Sequence, residues 1–208
     1  MDQVEHAAPA RRGLWQSKTF LAGAVIAGFL VLVAGLGPLL TAMTGQDYLS
    51  FHLDSIDTDG MPRGDFGGIS GEHWLGVEPA TGRDLFAQVV DSLRFSLAVA
   101  LGAAAVEVLI GVLVVAAVTR RNVRRLLGPA LVYGALLVPV DLIIEVRTAF
   151  LGFGLRRPPA PSWGGMLFSA TSWYGTDPAF LLVPGLLLVV TVLAFLLLGA
   201  GLYRRFVA

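Results

Sequence analysis

The sequence predicts an all-α integral membrane protein with four membrane-spanning helices and a surface helix before the second span. Hydrophobic residues make up 55% of the 208 residues and charged residues only 14%, whereas roughly 25% of the residues in a soluble domain are charged. The mean hydropathy is +0.73. Four stretches are also long and apolar enough to approach or exceed the ~20 residues that cross a hydrocarbon core.

The four predicted spans differ in polar content. Residues 20–43 and 179–203 contain no charged side chain, so both can span by composition alone. Residues 95–118 contain only Glu107, and residues 126–155 contain three ionisable residues, Asp141, Glu145 and Arg147. Glycine and proline are tolerated in membrane helices. The positions that we expect to kink or end helices are therefore Gly37-Pro38, Pro139 and Pro184-Gly185.

The basic residues predict which side of the membrane each connection faces. Arginine and lysine occur in residues 1–19, in the turn 119–125 and in the tail 204–208. In a four-span chain these segments fall on one side, and the positive-inside rule assigns that side to the cytoplasm. The basic residues in question are Arg11, Arg12, Lys18, Arg120, Arg121, Arg124, Arg125, Arg204 and Arg205. We therefore expect both termini to be cytoplasmic.

The other two connections, residues 44–94 and 156–178, are then external. Residues 44–91 contain nine acidic residues against two arginines, which fits an external segment. Asp54, Asp57 and Asp59 miss the spacing of a calcium-binding loop, and no metal site is predicted. A cleaved signal peptide is disfavoured for the first span because its apolar stretch exceeds the usual ~7–15 residues.

A surface helix is predicted at the end of the first external segment. Thr81 followed by Asp84 fits a capping box, so a helix is expected to start near Gly82. Apolar residues then recur at helical spacing, with Arg83 and Asp91 among the polar positions. This helix is predicted to lie at the membrane surface. It would act either as a structural elbow before the second span or as a contact for an external partner.

Two long motifs occur beside the second and third spans. The first, HWLGVEPATGRDLFAQVVDSLRFSL, spans residues 73–97, and the second, EVRTAFLGFGLRRPPAPSWGGML, spans residues 145–167. Both resemble segments of permease subunits of binding-protein-dependent ABC importers of the dipeptide, oligopeptide and nickel group. The residues that carry the resemblance include His73, Gly82, Arg83, Asp84, Arg94, Pro161, Ser162, Trp163 and Gly164. Glu78 stands where that family has an aspartate. The last span, VPGLLLVVTVLAFLLLGAGL, resembles the final helix of the same family.

The resemblance implies a transport subunit in a prokaryotic inner membrane rather than an enzyme. A second permease subunit, ATPase subunits and an external substrate-binding protein are the partners that it implies, besides the lipid bilayer. Neither a cofactor nor nucleic acid is expected, and no P-loop motif is present to bind ATP. The alternative is a membrane scaffold or a degenerate permease remnant that does not transport.

One departure from the family concerns the segment TRRNVRR, residues 119–125. Such permeases usually have six spans and a cytoplasmic loop with an E-A-A…G motif that docks into the ATPase. Here the chain passes from the second span to what resembles the fifth family helix, so two spans and that loop are missing from the pattern. The arginines either mark a short cytoplasmic turn through contact with lipid headgroups or form a substitute docking surface.

Ionisable residues at bilayer depth usually face a bundle interior or water, since each costs about 2.5–3.5 kcal/mol on insertion scales. We therefore predict that Glu107, Asp141 and Glu145 line an interior seam, with Arg147 as a counter-charge. Two readings stay open for this seam. It either lines a polar substrate pathway or holds the helices together.

Overall fold

The computed structural model describes residues 14–120 and 122–207. Within them the chain forms six α-helices and three short 3₁₀ turns, with isolated bridges as its only β pairing. The helices are α1 (Lys18–Gly35), α2 (Gly37–Thr44), α3 (Leu85–Thr119), α4 (Leu127–Phe150), α5 (Trp163–Ala170) and α6 (Pro178–Phe206). The basic residues Arg11, Arg12 and Arg121 lie outside the described residues. The fold class is all-α, as the composition predicts.

Four helices, α1, α3, α4 and α6, are long and apolar enough to cross a membrane. Each lies within or overlaps one of the four predicted spans, but the bounds differ. The stretch 20–43 holds two helices, because α1 ends at Gly35 and α2 begins again at Gly37 with Pro38 in its first turn. Proline is favoured there because its missing N–H has no partner in a first turn anyway. Pro139 and Pro184 instead lie inside α4 and α6, which continue through them.

The first external segment and the second span also differ from their predicted form. The predicted surface helix and the second span are one continuous helix, α3, of 35 residues. At 1.5 Å per residue α3 is about 52 Å long, which exceeds the ~30 Å hydrocarbon core. Its beginning therefore has the length to extend beyond the lipid without a break in the helix.

The long helices form an up-and-down bundle in which α6 packs on α1 and α4, and α4 packs on α3. The short helix α5 packs against α4 and α6. Two ends of the bundle result. We call the end formed by residues 45–84 and 151–177 the loop end, and the end formed by residues 119–126 the turn end.

Two glycines allow α1 and α6 to approach closely. A Cβ at Gly23 would lie 2.4 Å from the backbone nitrogen of Leu198, and one at Gly201 would lie 2.6 Å from the Cβ of Phe20. Small residues permit such contacts between membrane helices. This contact brings the start of α1 beside the end of α6, at the turn end.

Candidate functional site

The loop end is organised around the carboxylate of Asp84, which begins α3. Its Oδ1 accepts a hydrogen bond from the Ala87 backbone N–H at 2.7 Å, and its Oδ2 lies 2.8 Å from Nδ1 of His73. Asp84 and His73 are only 1% and 5% exposed. The N-cap of α3 is therefore Asp84, and the predicted capping box at Thr81 is wrong. Thr81 lies three residues before Asp84, outside the helix.

A second carboxylate, Glu78, accepts hydrogen bonds from three surrounding side chains. Its Oε2 accepts from Nε of Arg83 at 2.6 Å, from the hydroxyl of Thr81 at 2.7 Å and from Nε2 of Gln88 at 3.5 Å. Glu78 is 6% exposed, so the pair with Arg83 offsets the cost of burying its charge. Gly82 fits this turn because its φ is +67° and a Cβ there would lie 2.1 Å from the His52 carbonyl oxygen.

The second motif is built around the start of α5. Ser162 caps the helix, and its hydroxyl accepts from the Gly165 N–H at 3.2 Å. Trp163 is fully buried in the core beside it. A Cβ at Gly164 would lie 2.1 Å from the Val146 carbonyl oxygen, so α5 and α4 meet backbone to backbone at this position.

Two arginine contacts join the two motifs. Nη1 of Arg83 donates to the Pro159 carbonyl oxygen at 3.4 Å. Arg156 forms an ion pair with Asp91 of α3, and its Nη1 also donates to the Pro161 carbonyl oxygen at 3.0 Å. The Arg156 guanidinium carbon lies 4.6 Å from the centroid of the Phe95 ring, close enough for a cation–π contact.

Sequence reasoning did not find the role of Arg156. Asp91 and Arg156 are 65 positions apart, so no local spacing rule relates them, and only the charge of the RR pair before the prolines marks the site. Arg94, which the motif singled out, is exposed and lines a separate small pocket with Thr41 and Asp47.

A cavity of about 590 Å³ lies between the two motifs. Its polar lining includes Glu78, Arg83, Gln88, Arg156 and Arg157. Its apolar lining comes from the end of α4, the proline segment and α5, including Phe150, Pro158, Pro159, Met166 and Phe168. Small-molecule sites usually occupy ~300–1,000 Å³ and combine apolar walls with a few polar groups, and this cavity has both properties.

The ionisable residues inside the spans fall into two groups. Glu107 of α3 is exposed and Asp141 of α4 is half-buried, and they lie close enough for their charges to interact. Glu145 lies apart from them and is 5% exposed, near Ser96 of α3 and Arg156. Arg147 is exposed, and within residues 14–120 and 122–207 it forms no ion pair with these acids.

The basic turn forms a short 3₁₀ segment, Val123–Leu126, between α3 and α4. Asn122 caps it, since its side-chain oxygen accepts from the Arg124 N–H at 3.0 Å. Arg120, Arg124 and Arg125 are exposed. Three basic groups of the described chain, Lys18, this turn and the pair Arg204 and Arg205, thus lie at the turn end.

Comparison with known proteins gives partial matches to permeases. The oligopeptide transport system permease protein OppC of Salmonella typhimurium is 38% identical over 92 residues, which cover 44% of this chain and 30% of that protein. The glutathione transport system permease protein GsiD of Pectobacterium atrosepticum is 39% identical over 71 residues, covering 34% and 23%. A probable peptide ABC transporter permease protein of Sinorhizobium fredii is 36% identical over 78 residues, covering 38% and 26%.

The matches cover only part of each relative. The matched part of the chain spans less than a third of each of these relatives. No protein-family model matches the chain. Together with four helices that can span a membrane, the matches support a multi-pass inner-membrane protein. The homologues of this chain are permease proteins of oligopeptide, glutathione and peptide ABC transport systems.

Proposed function

We propose that the chain is a transmembrane permease subunit of an ABC importer for peptides or similar small solutes, and that it forms part of the translocation pathway. The observation that carries this proposal is the packing of the two permease-like motifs. They are distant in sequence, yet Arg83 and Arg156 join them into one layer at the loop end.

An uncovered polar surface supports a role within a larger assembly. Glu107 lies about 18 Å from the end of α3, and Asp141 about 21 Å from the start of α4, at 1.5 Å per residue. Both are therefore deep within the bilayer, where carboxylates normally face protein or water. We infer that a second permease subunit covers this surface and that a polar pathway runs between the two.

The orientation follows from the basic residues at the turn end. With the turn end in the cytoplasm, the acidic loop end faces outward, where a substrate-binding protein would deliver the solute. Both termini are then cytoplasmic, and the protein spans a prokaryotic inner membrane four times. ATP hydrolysis belongs in this proposal to separate ATPase subunits, which would contact the exposed arginines of the short turn or a neighbouring subunit.

Co-purification and uptake test this function. We expect the tagged chain to retain an ATPase and a second permease from solubilised membranes, and deletion of the chain to abolish ATP-dependent peptide uptake into cells. As a control, cells complemented with the wild-type chain should regain uptake. Absence of both the ATPase and the uptake defect would leave only the scaffold or remnant alternative.

Cysteine labelling tests the pathway and the orientation, because the chain contains no cysteine and every introduced thiol is unique. In the assembled membrane protein, Glu107→Cys and Asp141→Cys should react with a water-soluble thiol reagent, whereas Leu109→Cys, an exposed apolar position on the opposite face of α3 from Glu107, should not. Asp57→Cys should be labelled from outside and Asn122→Cys only from inside. Equal protection of positions 107, 141 and 109 would end the pathway hypothesis.

A further inference from the structure

The cavity between the two motifs carries both acidic and basic side chains on its lining. Glu78 supplies a carboxylate that is paired with Arg83, and Arg156 and Arg157 supply guanidinium groups near the proline segment. The cavity lies at the loop end, which the proposed orientation places outside the membrane. It is thus a place where a solute can reach the chain from the external side.

Glu78 is paired with Arg83 through one oxygen, and among residues 14–120 and 122–207 no side chain donates a hydrogen bond to its other oxygen. Arg83, Thr81 and Gln88 all donate to Oε2, and Oε1 accepts none of these bonds. A carboxylate oxygen on the lining of a cavity favours a cationic donor such as an ammonium group, because hydrogen bonds between charged partners are about twice as strong as neutral ones.

The two arginines of the proline segment differ in whether they already have partners within the chain. Arg156 is committed to Asp91 and to the Pro161 carbonyl oxygen. Arg157 is exposed and lines the cavity, and in the part of the chain that the structure describes it forms no ion pair. A planar guanidinium matches a carboxylate through two parallel hydrogen bonds, so Arg157 suits an anionic group.

The remaining walls are apolar and adaptable. Phe150 and Phe168 meet edge to face with their ring centroids 5.6 Å apart, and Met166 lies with them along the lining. Methionine and aromatic side chains accept apolar groups of varied shape. Such walls can bury a side chain of the ligand without selecting one residue type.

We propose that this cavity binds a short peptide in its zwitterionic form, with the terminal ammonium group at Glu78 and the terminal carboxylate at Arg157. The choice of a peptide rests on the proposed function, whereas the need for two opposite charges rests on the cavity lining alone. The cavity would then be an external binding site of this chain itself, separate from the Glu107–Asp141 surface.

Binding to the purified full-length chain in lipid nanodiscs tests this site, with trialanine as the probe and calorimetry as the readout. We expect N-acetyl-trialanine and trialanine amide each to bind about tenfold more weakly than trialanine, which corresponds to about 1.4 kcal/mol. Arg157→Gln should weaken trialanine about tenfold but leave the amide unchanged. Arg94→Gln, which alters an exposed arginine outside the cavity, should bind trialanine like the wild type.

Three results would overturn the site: no binding of trialanine at millimolar concentration, equal binding of all three peptides, or no effect of Arg157→Gln. The peptide derivatives test the Glu78 contact on the wild-type chain, so the test does not depend on the folding of a Glu78 variant. Peptide uptake measured in parallel separates the two proposals. Uptake without charge-dependent binding would contradict the peptide site in the cavity and leave the permease proposal standing. Charge-dependent binding without uptake would contradict the permease proposal and leave the site in the cavity standing.

Discussion

The two halves of α3 differ in how completely the chain covers them. From Leu85 to Ala104 the helix contains eleven buried residues, and the remaining fifteen, residues 105–119, contain none. The first half also pairs its one acidic residue, Asp91, with Arg156 of the same chain. In the second half Glu107 is exposed beside large apolar side chains. The loop-end half is therefore complete by itself, and the turn-end half presents a surface for lipid or another subunit.

The largest effect is expected where α5 meets α4. Gly164→Val places a side chain where even a Cβ would lie 2.1 Å from the Val146 carbonyl oxygen and 2.6 Å from the Phe150 nitrogen. Backbone cannot yield as a flexible side chain does, so we expect loss of more than about 3 kcal/mol or failure to fold. Thermal unfolding in detergent, followed by circular dichroism, measures this change.

Gly102→Val is the matched control for that substitution. Gly102 lies on α3 with no atom within 4 Å of an added Cβ, and we expect its midpoint to stay within about 2 °C of the wild type. An unchanged midpoint for Gly164→Val would show that the loop-end half is not packed as described.

The next largest loss of stability is expected for the ion pair of Glu78 and Arg83 on the cavity lining. Arg83→Ala leaves Glu78 buried without its cation, and removing one partner of a buried pair costs about 3–5 kcal/mol. Arg83 keeps some contact with solvent, so we expect the lower end of this range. Urea unfolding compared with Arg94→Ala, which removes an exposed arginine from the first half of α3, isolates the loss of the pair. Equal stability of the two variants would contradict the role of Arg83.

A smaller effect is expected at the start of α3. Asp84→Ala removes the N-cap and the partner of His73, and loss of a cap alone costs about 0.5–2 kcal/mol. Asp84→Asn retains a capping oxygen, so it should lose less. Hydrogen exchange at the Ala87 amide reports the cap directly. If the asparagine variant exchanges there as fast as the alanine variant, the cap is not what holds this helix end.

Glu107→Gln tests the second half of α3, which the chain leaves uncovered. Because Glu107 is exposed and unpaired among the described residues, its neutralisation should change the unfolding free energy of the isolated chain by less than about 0.5 kcal/mol. In the assembled importer the same change should alter uptake. A large loss of stability in the isolated chain would mean that the turn-end half is more self-contained than its surface indicates.

The smallest effect concerns pH and Asp177, the N-cap of α6. Burial raises the pKa of this carboxyl above its ordinary value of 3.8, against the hydrogen bonds from the Ala179 and Phe180 backbone N–H groups, which lower it. A raised pKa in the folded state makes a stabilising contribution that is fully present below pH 3.8 and is lost as the pH rises through the folded-state value.

Asp177→Asn should therefore flatten the stability profile in the range just above pH 3.8 and raise the midpoint at neutral pH by no more than about 2 °C. The amide keeps a capping oxygen and carries no charge to bury. Unfolding midpoints measured from pH 4 to pH 7 check this, and an unchanged profile would show that another group sets it.

The sequence was enough to predict the helices but not the contacts that link them. Long apolar runs predict α1, α3, α4 and α6 because the period and length of a span are local properties. The sequence places the start of α3 near Gly82, whereas the helix begins at Leu85, because residues 76–84 fold back on themselves with a bridge between Val77 and Asp84, and this makes Asp84 the cap. The pair of Asp91 and Arg156 depends on how α3 meets the proline segment, which no spacing rule contains.

The glycine contact between α1 and α6 has a consequence for biogenesis. The face of α1 that carries Gly23 is complementary to a helix that begins only at Pro178. At a synthesis rate of about 5–20 residues per second, the interval between the synthesis of α1 and that of α6 is on the order of 10 s. During that interval the face of α1 that carries Gly23 has no helix of this chain to pack against, so α1 and α6 can pair only after α6 has been synthesised.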